Sequence, residues 1–216
     1  MEDSYLTISG NGDAVIEVKR SRFIGALRAV SSSDEAEAFL LSEKKKYHDA
    51  KHHCSAYIIR GTDGAPDNIH SSDDGEPSGT AGKPMLEVIK GAGLKDVVIV
   101  VTRYFGGTLL GTGGLVRAYT DAAKAAVSDA GIAEMILMRN FSVTFDYTHT
   151  GSVDHFINHN DVSKLDASYT EKVSYSLAVK DGRYDGIIKE LMDITSSGIT
   201  VDKGDTTYVM VSPQNG

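Results

Sequence analysis

The sequence has 216 residues, of which 41% are hydrophobic and 24% are charged, a composition typical of a folded globular protein. The length fits one large domain or two small ones. The first residues lack a basic start followed by an apolar run, and no apolar stretch approaches the roughly 20 residues that cross a bilayer. The sequence therefore predicts neither a secreted nor a membrane protein, and the single cysteine, Cys54, favours a reducing compartment, the cytoplasm.

Charge is unevenly distributed along the chain. The formal net charge is −8, which opposes a general attraction to nucleic acid because such binding comes from Lys and Arg neutralising phosphates. Residues 1–133 carry 15 Lys and Arg against 18 Asp and Glu, whereas residues 134–216 carry 7 against 12. Any contact with a polyanion is therefore predicted to be local and confined to the first part, and DNA is not expected as a partner.

The chain begins with a predicted β-rich segment. Residues 5–8 and 14–18 are short apolar strands around Gly10-Asn11-Gly12, whose Asn-Gly pair predicts a hairpin. A third strand is predicted over 23–30. Between the second and third strands lies a basic cluster, Lys19-Arg20-Ser21-Arg22, which either contacts phosphate oxygens or stays solvated.

A helix, a strand and a long loop follow. Ser32 with Glu35 three residues later predicts a capping box at the start of a helix that runs to about Tyr47. Residues 54–60 alternate as in a buried strand. Residues 61–83 are rich in Gly, Asp, Ser and Pro and lack apolar periodicity, which predicts a loop that is either functional or disordered.

The next segment combines a buried strand, a glycine-rich loop and a helix. A short helix is predicted around 85–90, and the β-branched run 97–101 predicts a strand covered on both faces. Glycines are frequent over 106–114, and apolar residues then recur at helical spacing over 115–130, where Gly131 ends the helix. The first domain is predicted to close soon afterwards.

A second alternation of elements begins at about residue 138. Its pattern predicts strands and helices in the order β-α-β-β-α-β, which is the ferredoxin-like arrangement. The sequence as a whole therefore predicts an α+β protein with two domains, residues 1–134 and residues 135–216.

The strand, loop and helix over 97–119 are predicted to form an anion site. Glycines allow close approach of the backbone, and the free N–H groups and the dipole at a helix start favour negative charge. Arg103 before the loop and Arg117 in the first part of the helix can add charged hydrogen bonds to a phosphate. The candidate phosphate-binding residues are Arg22, Lys83, Arg103, Gly106, Gly107, Gly111, Gly113, Gly114 and Arg117.

Known nucleotide-binding patterns do not fit this loop. Gly106 and Gly111 have the spacing of a P-loop, but Thr112 and Gly113 stand where Lys and Ser or Thr are needed. The third glycine of the dinucleotide-binding pattern is replaced by Val116. NTPase activity and dinucleotide binding are therefore disfavoured, and no cofactor is predicted. The alternative to a ligand site is that the glycines only allow tight packing of the strand against the helix.

An acidic loop supplies a second set of candidates. Asp73, Asp74, Glu76 and Ser78 are the candidate partner-binding residues, because functional residues are common on loops of this length. One alternative is a solvated, turn-rich loop. Another is a metal-dependent hydrolase in which these carboxylates and His53 hold a hard cation, although the spacing of an EF-hand is absent. No catalytic residue and no metal ligand is assigned.

The cysteine and the remaining histidines carry no metal signature. Cys54 shares a strand face with His52, but the paired ligands of a zinc site are missing, so Cys54 is predicted to be a small buried hydrophobe. His155 and His159 lie four residues apart on a predicted helix without the Glu of a zinc protease. A pair of surface histidines is therefore predicted.

Four separated segments resemble motifs of the YigZ/IMPACT family, and they occur in the same order. They are KRSRFIG at 19–25, HCSAY at 53–57, DDGEPSGTAGKPM at 73–85 and VTRYFGGTLLGTGGLVRAY at 101–119. Four matches in order are more specific than one glycine-rich loop. The remainder is similar to the smaller C-terminal domain of bacterial members, so the chain resembles a bacterial two-domain member of this family.

The resemblance implies a fold and a function. The family's first domain has a ribosomal-protein-like α/β fold shared with domain IV of elongation factor G, and its second resembles the ferredoxin-like last domain of that factor. Eukaryotic IMPACT regulates translation by competing for the activator of the starvation-responsive initiation-factor kinase. The implied role is translation-linked, with RNA, the ribosome or a translation-regulatory protein as partner, and it favours binding over catalysis.

Overall fold

A computed structural model describes residues 2–62 and 64–211. The chain divides into two compact units. The first contains Tyr5–Glu134 and includes Val211, and the second contains Glu2–Ser4 and Met135–Met210. Among the described residues, no helix combines the length and the apolar character needed to cross a membrane.

The elements up to residue 130 are, in chain order, β1 (Ser4–Ile8), β2 (Gly12–Val18), β3 (Ser21–Ala29), α1 (Ser33–Lys46), β4 (His52–Ile59), β5 (Asn68–Ser72), α2 (Gly82–Gly91), β6 (Val97–Tyr104) and α3 (Gly111–Ala130). The later elements are β7 (Ile132–Phe145), α4 (Thr150–His159), β8 (Ser163–Tyr169), β9 (Val173–Lys180), α5 (Tyr184–Ile194) and β10 (Ile199–Val211), with short 3-10 turns at Tyr147–His149 and Asp181–Arg183.

The sheet of the first unit has the order β2-β3-β6-β4-β5, and all neighbouring strands are antiparallel. β6 lies at its centre, and the side chains of β6 alternate between two cores. Val97, Ile99 and Val101 belong to the core that includes α2 and α3. Val98 and Val100 belong to a smaller core with residues of α1. The β-branched run is therefore covered on both faces, as predicted.

An alanine stripe brings α3 close to the sheet. Ala118, Ala122 and Ala126 are buried in the core. At Gly12 in β2, an added Cβ would lie 2.1 Å from the carbonyl oxygen of Ala126, so no side chain fits between this strand and the helix. This packing places the start of α3 beside Lys19, at the end of β2.

The predicted hairpin between the first two strands is wrong. β2 instead pairs with β3, and Val18 opposite Ser21 leaves a two-residue loop of Lys19 and Arg20. The Asn-Gly segment has another use, because the N–H of Gly10 donates to the carbonyl of Ala130, 3.1 Å away.

The second unit contains the predicted β-α-β-β-α-β order, β7-α4-β8-β9-α5-β10. Its strands lie in the order β8-β9-β7-β10, and β9 is antiparallel to both β8 and β7. This is the ferredoxin-like arrangement. Phe145, Tyr175, Leu177 and Ile187 are fully buried in its core. The predicted fold class, α+β with two domains, is confirmed.

Candidate functional site

α3 begins with an open, uncapped turn. Leu110 stands at the N-cap position, no side chain caps the helix, and the first turn contains no Asp or Glu. Gly107 and Gly111 have φ of 84° and 70°, and an added Cβ at Gly113 would meet nothing within 4 Å. Gly114 has less free space around it, because a Cβ added there would lie 3.1 Å from the Cβ of Leu110. The first N–H groups of α3 therefore lie at an exposed turn, where the helix dipole is positive.

Gly106 packs against the chain instead of joining this open turn. Its N–H donates to Oγ of Ser21 at 3.1 Å. An added Cβ would lie 2.0 Å from the carbonyl carbon of Arg20. The prediction that Gly106 offers its N–H to a phosphate is therefore wrong, and the packing alternative applies at this position.

Arg103 lies inside the first unit and is 6% exposed. Its Nη1 donates to Oε1 of Glu76 at 2.7 Å, and the hydroxyl of Tyr119 donates to the same oxygen at 2.8 Å. Its guanidinium carbon lies 5.6 Å from the ring centre of Phe105. Arg117, by contrast, is exposed. The prediction that the two arginines share one cradle is wrong, because the buried ion pair with Glu76 holds Arg103 in the core.

Arg117 shares a cleft of about 520 Å³ with Lys19, a residue outside the predicted site set. The cleft is lined by Val18, Lys19, Leu110, Gly113, Gly114, Arg117, Ala118 and Asp121. Within residues 2–62 and 64–211, neither Lys19 nor Arg117 forms an ion pair, and Asp121 is the one carboxylate in the lining. The basic cluster between the second and third strands was the sequence signal for Lys19. We call this space the α3 cleft.

The loop between β2 and β3 has unusual backbone geometry. Lys19 and Arg20 have φ of 48° and 66°, values that two-residue hairpin loops normally obtain from Asn and Gly. Arg22, at the start of β3, is exposed and lies opposite Tyr104 in the sheet register. Phe105 follows Tyr104 and is 55% exposed. This end of the β3 and β6 strands therefore combines exposed cations with an exposed aromatic ring.

Asp73 caps the start of α2 from a distance in the chain. Its carboxylate accepts hydrogen bonds from the N–H groups of Gly79, Ala81 and Gly82 at 2.7, 3.0 and 2.8 Å. Partial burial acts to raise the pKa of Asp73, but these three hydrogen bonds outweigh it and hold the pKa below its usual value. The carboxylate is thus part of the fold.

The other two predicted partner-binding carboxylates are also engaged. Asp74 accepts from the N–H of His53 at 2.7 Å and from Nζ of Lys44 at 3.0 Å. Burial acts to raise the pKa of Asp74, but these contacts outweigh it and lower the pKa. Glu76 is buried with Arg103. All three carboxylates therefore have partners within the fold, whereas Ser78 is exposed, and partner binding by this loop stays a prediction.

The groups that the hydrolase hypothesis assigned to a metal have protein partners instead. In the described part of the chain, no three His, Cys, Asp or Glu residues are placed to hold a metal ion. His53 has its Nε2 3.1 Å from the carbonyl oxygen of Tyr47. Burial raises the pKa of the Cys54 thiol to about 12, so this side chain stays protonated. His155 and His159 are exposed, with ring centres 4.2 Å apart, as predicted.

Lys83 lies in a different place from the α3 cleft. It is exposed near the start of α2, where it lines a groove between α2 and α3 together with Lys124. Lys83 and Arg117 therefore line separate surfaces, and phosphate binding by Lys83 stays a prediction.

Comparison with known proteins identifies both units. The family model of the Impact N-terminal domain matches residues 19–127, and the domain of unknown function DUF1949 matches residues 143–197. The IMPACT family member YvyE of Bacillus subtilis (strain 168) is 38% identical over 210 residues, 97% of this chain and 95% of YvyE. The IMPACT family member YigZ of Escherichia coli (strain K12) is 32% identical over 200 residues, 91% of this chain and 96% of YigZ.

A solved structure described as the crystal structure of a hypothetical protein is also similar. It is 30% identical, with a TM-score of 0.61, and the match covers 95% of this chain and 99% of that one. The molecule is thus a two-domain α+β protein whose first unit is an Impact N-terminal domain. The chain belongs to the IMPACT family, and the resemblance predicted from four sequence motifs is confirmed.

Proposed function

We propose that this protein takes part in the regulation of translation by binding RNA phosphates, on the ribosome or on free RNA, through the α3 cleft. Membership of the IMPACT family supports the link to translation, since the resemblance to eukaryotic IMPACT implies a translation-regulatory role. The activity is binding, and its place is the cytoplasm. The alternative partner is a translation-regulatory protein, which the experiment below distinguishes from RNA.

The observation that carries the proposal is the composition of the α3 cleft. An uncapped helix start, equivalent to about half a positive charge, opens beside two exposed cations, Lys19 and Arg117. Asp121 opposes them with one negative charge. The cleft is therefore net positive in a protein whose total charge is −8. Such a site suits a phosphate group, which accepts hydrogen bonds from backbone N–H groups and from cationic side chains.

The strained loop at Lys19 and Arg20 supports the same proposal. A left-handed conformation costs a non-glycine residue roughly 1–2 kcal/mol, and both residues have positive φ. Asn and Gly would adopt this loop with less strain, but they would carry no charge. The cost is understandable if the two basic side chains bind an anion.

The proposed contact is small and sensitive to salt. Lys19, Arg117 and the neighbouring Arg22 provide at most about three phosphate contacts, each of which releases condensed counterions. Phosphate contacts position a protein on RNA without reading its sequence. We therefore expect binding to structured RNA with little sequence preference, and with an affinity that falls as salt concentration rises.

The test replaces Lys19 and Arg117 by Gln and measures co-sedimentation with ribosomes and binding to ribosomal RNA over a range of salt concentrations. We expect the affinity to fall about tenfold and the slope of log K against log salt to fall by about 1.5, because two phosphate contacts are lost. The matched control is Arg183→Gln with Lys189→Gln, two exposed cations of the second unit, and it should change neither quantity.

Two outcomes contradict the proposal. Unchanged binding of the Lys19→Gln, Arg117→Gln variant would show that the α3 cleft is not the contact surface. An equal loss of affinity in the control variant would show that the effect comes from net charge alone. Nuclease treatment before capture separates the two partner classes. A partner that remains bound after nuclease treatment, and is lost in the double variant, would be a protein.

A further inference from the structure

A second concave surface lies between α2 and α3. This groove has a volume of about 910 Å³ and is lined mostly by apolar or small side chains. Its apolar members are Pro84, Val88, Ala92, Val116 and Val127. Val116 is 36% exposed, and Val88 and Val127 are only partly buried. The floor of the groove is therefore an apolar surface that the described residues leave accessible.

The charges at the rim of the groove are mainly positive. Lys83 from α2 and Lys124 from α3 both line it, both are exposed, and neither forms an ion pair within the described ranges. The one acidic residue in the lining, Glu87, already has a cation, Lys90, at 3.8 Å. Each helix thus contributes an unpaired cation to the rim, and a partner with carboxylates on its flanks would complement both.

The dimensions of the groove suit a short helix. The lining residues of α3 run from Val116 to Ser128, which corresponds to about 18 Å at 1.5 Å per residue, or roughly three helical turns. Gly91 and Thr120 are small lining residues, and an added Cβ at Gly91 would meet nothing within 4 Å. A partner backbone can therefore approach closely at this point.

We propose that this groove docks an amphipathic α-helix of a partner protein, with apolar residues against the valines and Glu or Asp toward Lys83 and Lys124. Helices bind such grooves through apolar residues spaced at i, i+3, i+4 and i+7. RNA is a poorer occupant, because phosphates gain nothing from an apolar floor and the bases would have to leave their stacks. The groove is separate from the α3 cleft, so this proposal does not depend on RNA binding.

The probes are two fluorescein-labelled peptides of 14 residues with Leu at the groove-facing positions. One carries Glu at the remaining positions, and the other carries Lys. Fluorescence anisotropy with the full chain should show saturable binding of the Glu peptide and at least about tenfold weaker binding of the Lys peptide, because rim charges mainly decide which partner is accepted.

Two variants locate the binding. Lys83→Glu with Lys124→Glu should weaken the Glu peptide about tenfold and strengthen the Lys peptide, since the rim charge is reversed. Val116→Asp should weaken both peptides, because it places a charge on the apolar floor. The matched control is Lys45→Glu with Lys51→Glu, two exposed lysines outside the groove, which should bind like the unmodified protein. Melting temperatures check that every variant is folded.

Several results would overturn the proposal. Equal affinity for the two peptides would show that the groove does not select its partner by charge. Failure to bind either peptide would show that the groove does not accept a helix. Dimerisation of the chain in sedimentation experiments, abolished by Val116→Asp, would assign the groove to a second copy. Loss of ribosomal RNA binding in the Lys83→Glu, Lys124→Glu variant, with peptide binding unchanged, would assign the two lysines to RNA.

Discussion

α2 and α3 lie on the same face of one sheet, yet their first turns differ. The N–H groups at the start of α2 are bound by Asp73, a carboxylate that the chain itself supplies. At the start of α3, no side chain caps the helix, and Lys19 and Arg117 lie beside it. The acidic loop before α2 thus caps its own helix, whereas the glycine-rich loop before α3 leaves the helix start uncapped beside two cations, where we propose that an external anion binds.

The largest expected difference is in the free energy of unfolding, between substitutions of Arg103 and of Arg117. Arg103→Ala should lower the free energy of unfolding by about 3–5 kcal/mol, because it leaves the Glu76 carboxylate buried without its counter-charge. Arg117→Ala should change it by less than about 0.5 kcal/mol, as is usual at exposed positions. Urea denaturation followed by circular dichroism measures both. Similar losses in the two variants would mean that the two arginines do not differ in role.

The capping carboxylate gives the next largest effect. Asp73→Asn should lower the free energy of unfolding by roughly 2 kcal/mol at neutral pH, because a charged acceptor of three N–H groups is lost. Since the folded pKa of Asp73 lies below its usual value, its stabilisation is present above the unfolded pKa of about 3.9 and is lost as pH falls through the folded pKa.

Denaturation curves collected between neutral and acidic pH therefore test the same residue a second way. The variant should show a shallower loss of stability in acid than the unmodified protein. Glu17→Gln, at an exposed position of β2 in the same unit, is the control and should lose stability in acid as steeply as the unmodified protein. Parallel acid limbs for Asp73→Asn and the unmodified protein would contradict the capping role.

The loop beside the open helix start should show stability and binding changing in opposite directions. Lys19→Asn with Arg20→Gly should raise the free energy of unfolding by about 1 kcal/mol, because these residues adopt positive φ with less strain. The same variant should bind ribosomal RNA several-fold more weakly, since it lacks two cations. Thermal melts and co-sedimentation measure the pair of effects, and a variant that gained stability without losing affinity would exclude the loop from the contact.

The smallest effect is expected at the acidic residue of the α3 cleft. Asp121→Asn removes the one carboxylate that lines it and should strengthen RNA binding about twofold at low salt, with the gain fading at high salt. Asp185→Asn, an exposed residue of the second unit, carries the same charge change and should have no effect. Weaker binding by Asp121→Asn would mean that this carboxylate contacts the ligand directly.

Local signals predicted much of the fold. One half of the capping box is present, because Oγ of Ser32 accepts from the N–H of Glu35, whereas the Glu35 carboxylate accepts from the N–H of Ser31 and not from that of Ser32. The continuous β-branched run became the central strand β6. The strand β5 was missed because its residues are mostly exposed and polar, so no apolar alternation distinguishes it from a loop. The hairpin error arose because Asn-Gly indicates a turn but not which strands pair across it.

The site was harder to predict because its decisive contacts join residues far apart in the chain. Glu76 meets Arg103 and Tyr119 across 27 and 43 positions. No local pattern shows that this carboxylate would remove an arginine from the surface. The open start of α3, by contrast, was predictable from its glycines and from the absence of an acidic residue in its first turn.

The buried thiol of Cys54 can report the rate at which the first unit opens. The sequence contains one cysteine, and Cys54 is fully buried in the first unit. Alkylating reagents attack the thiolate, so iodoacetamide should modify this residue only in molecules whose first unit has opened. The increase in mass of the intact chain after timed labelling therefore measures opening of the first unit. Unfolding of the second unit alone does not change this mass.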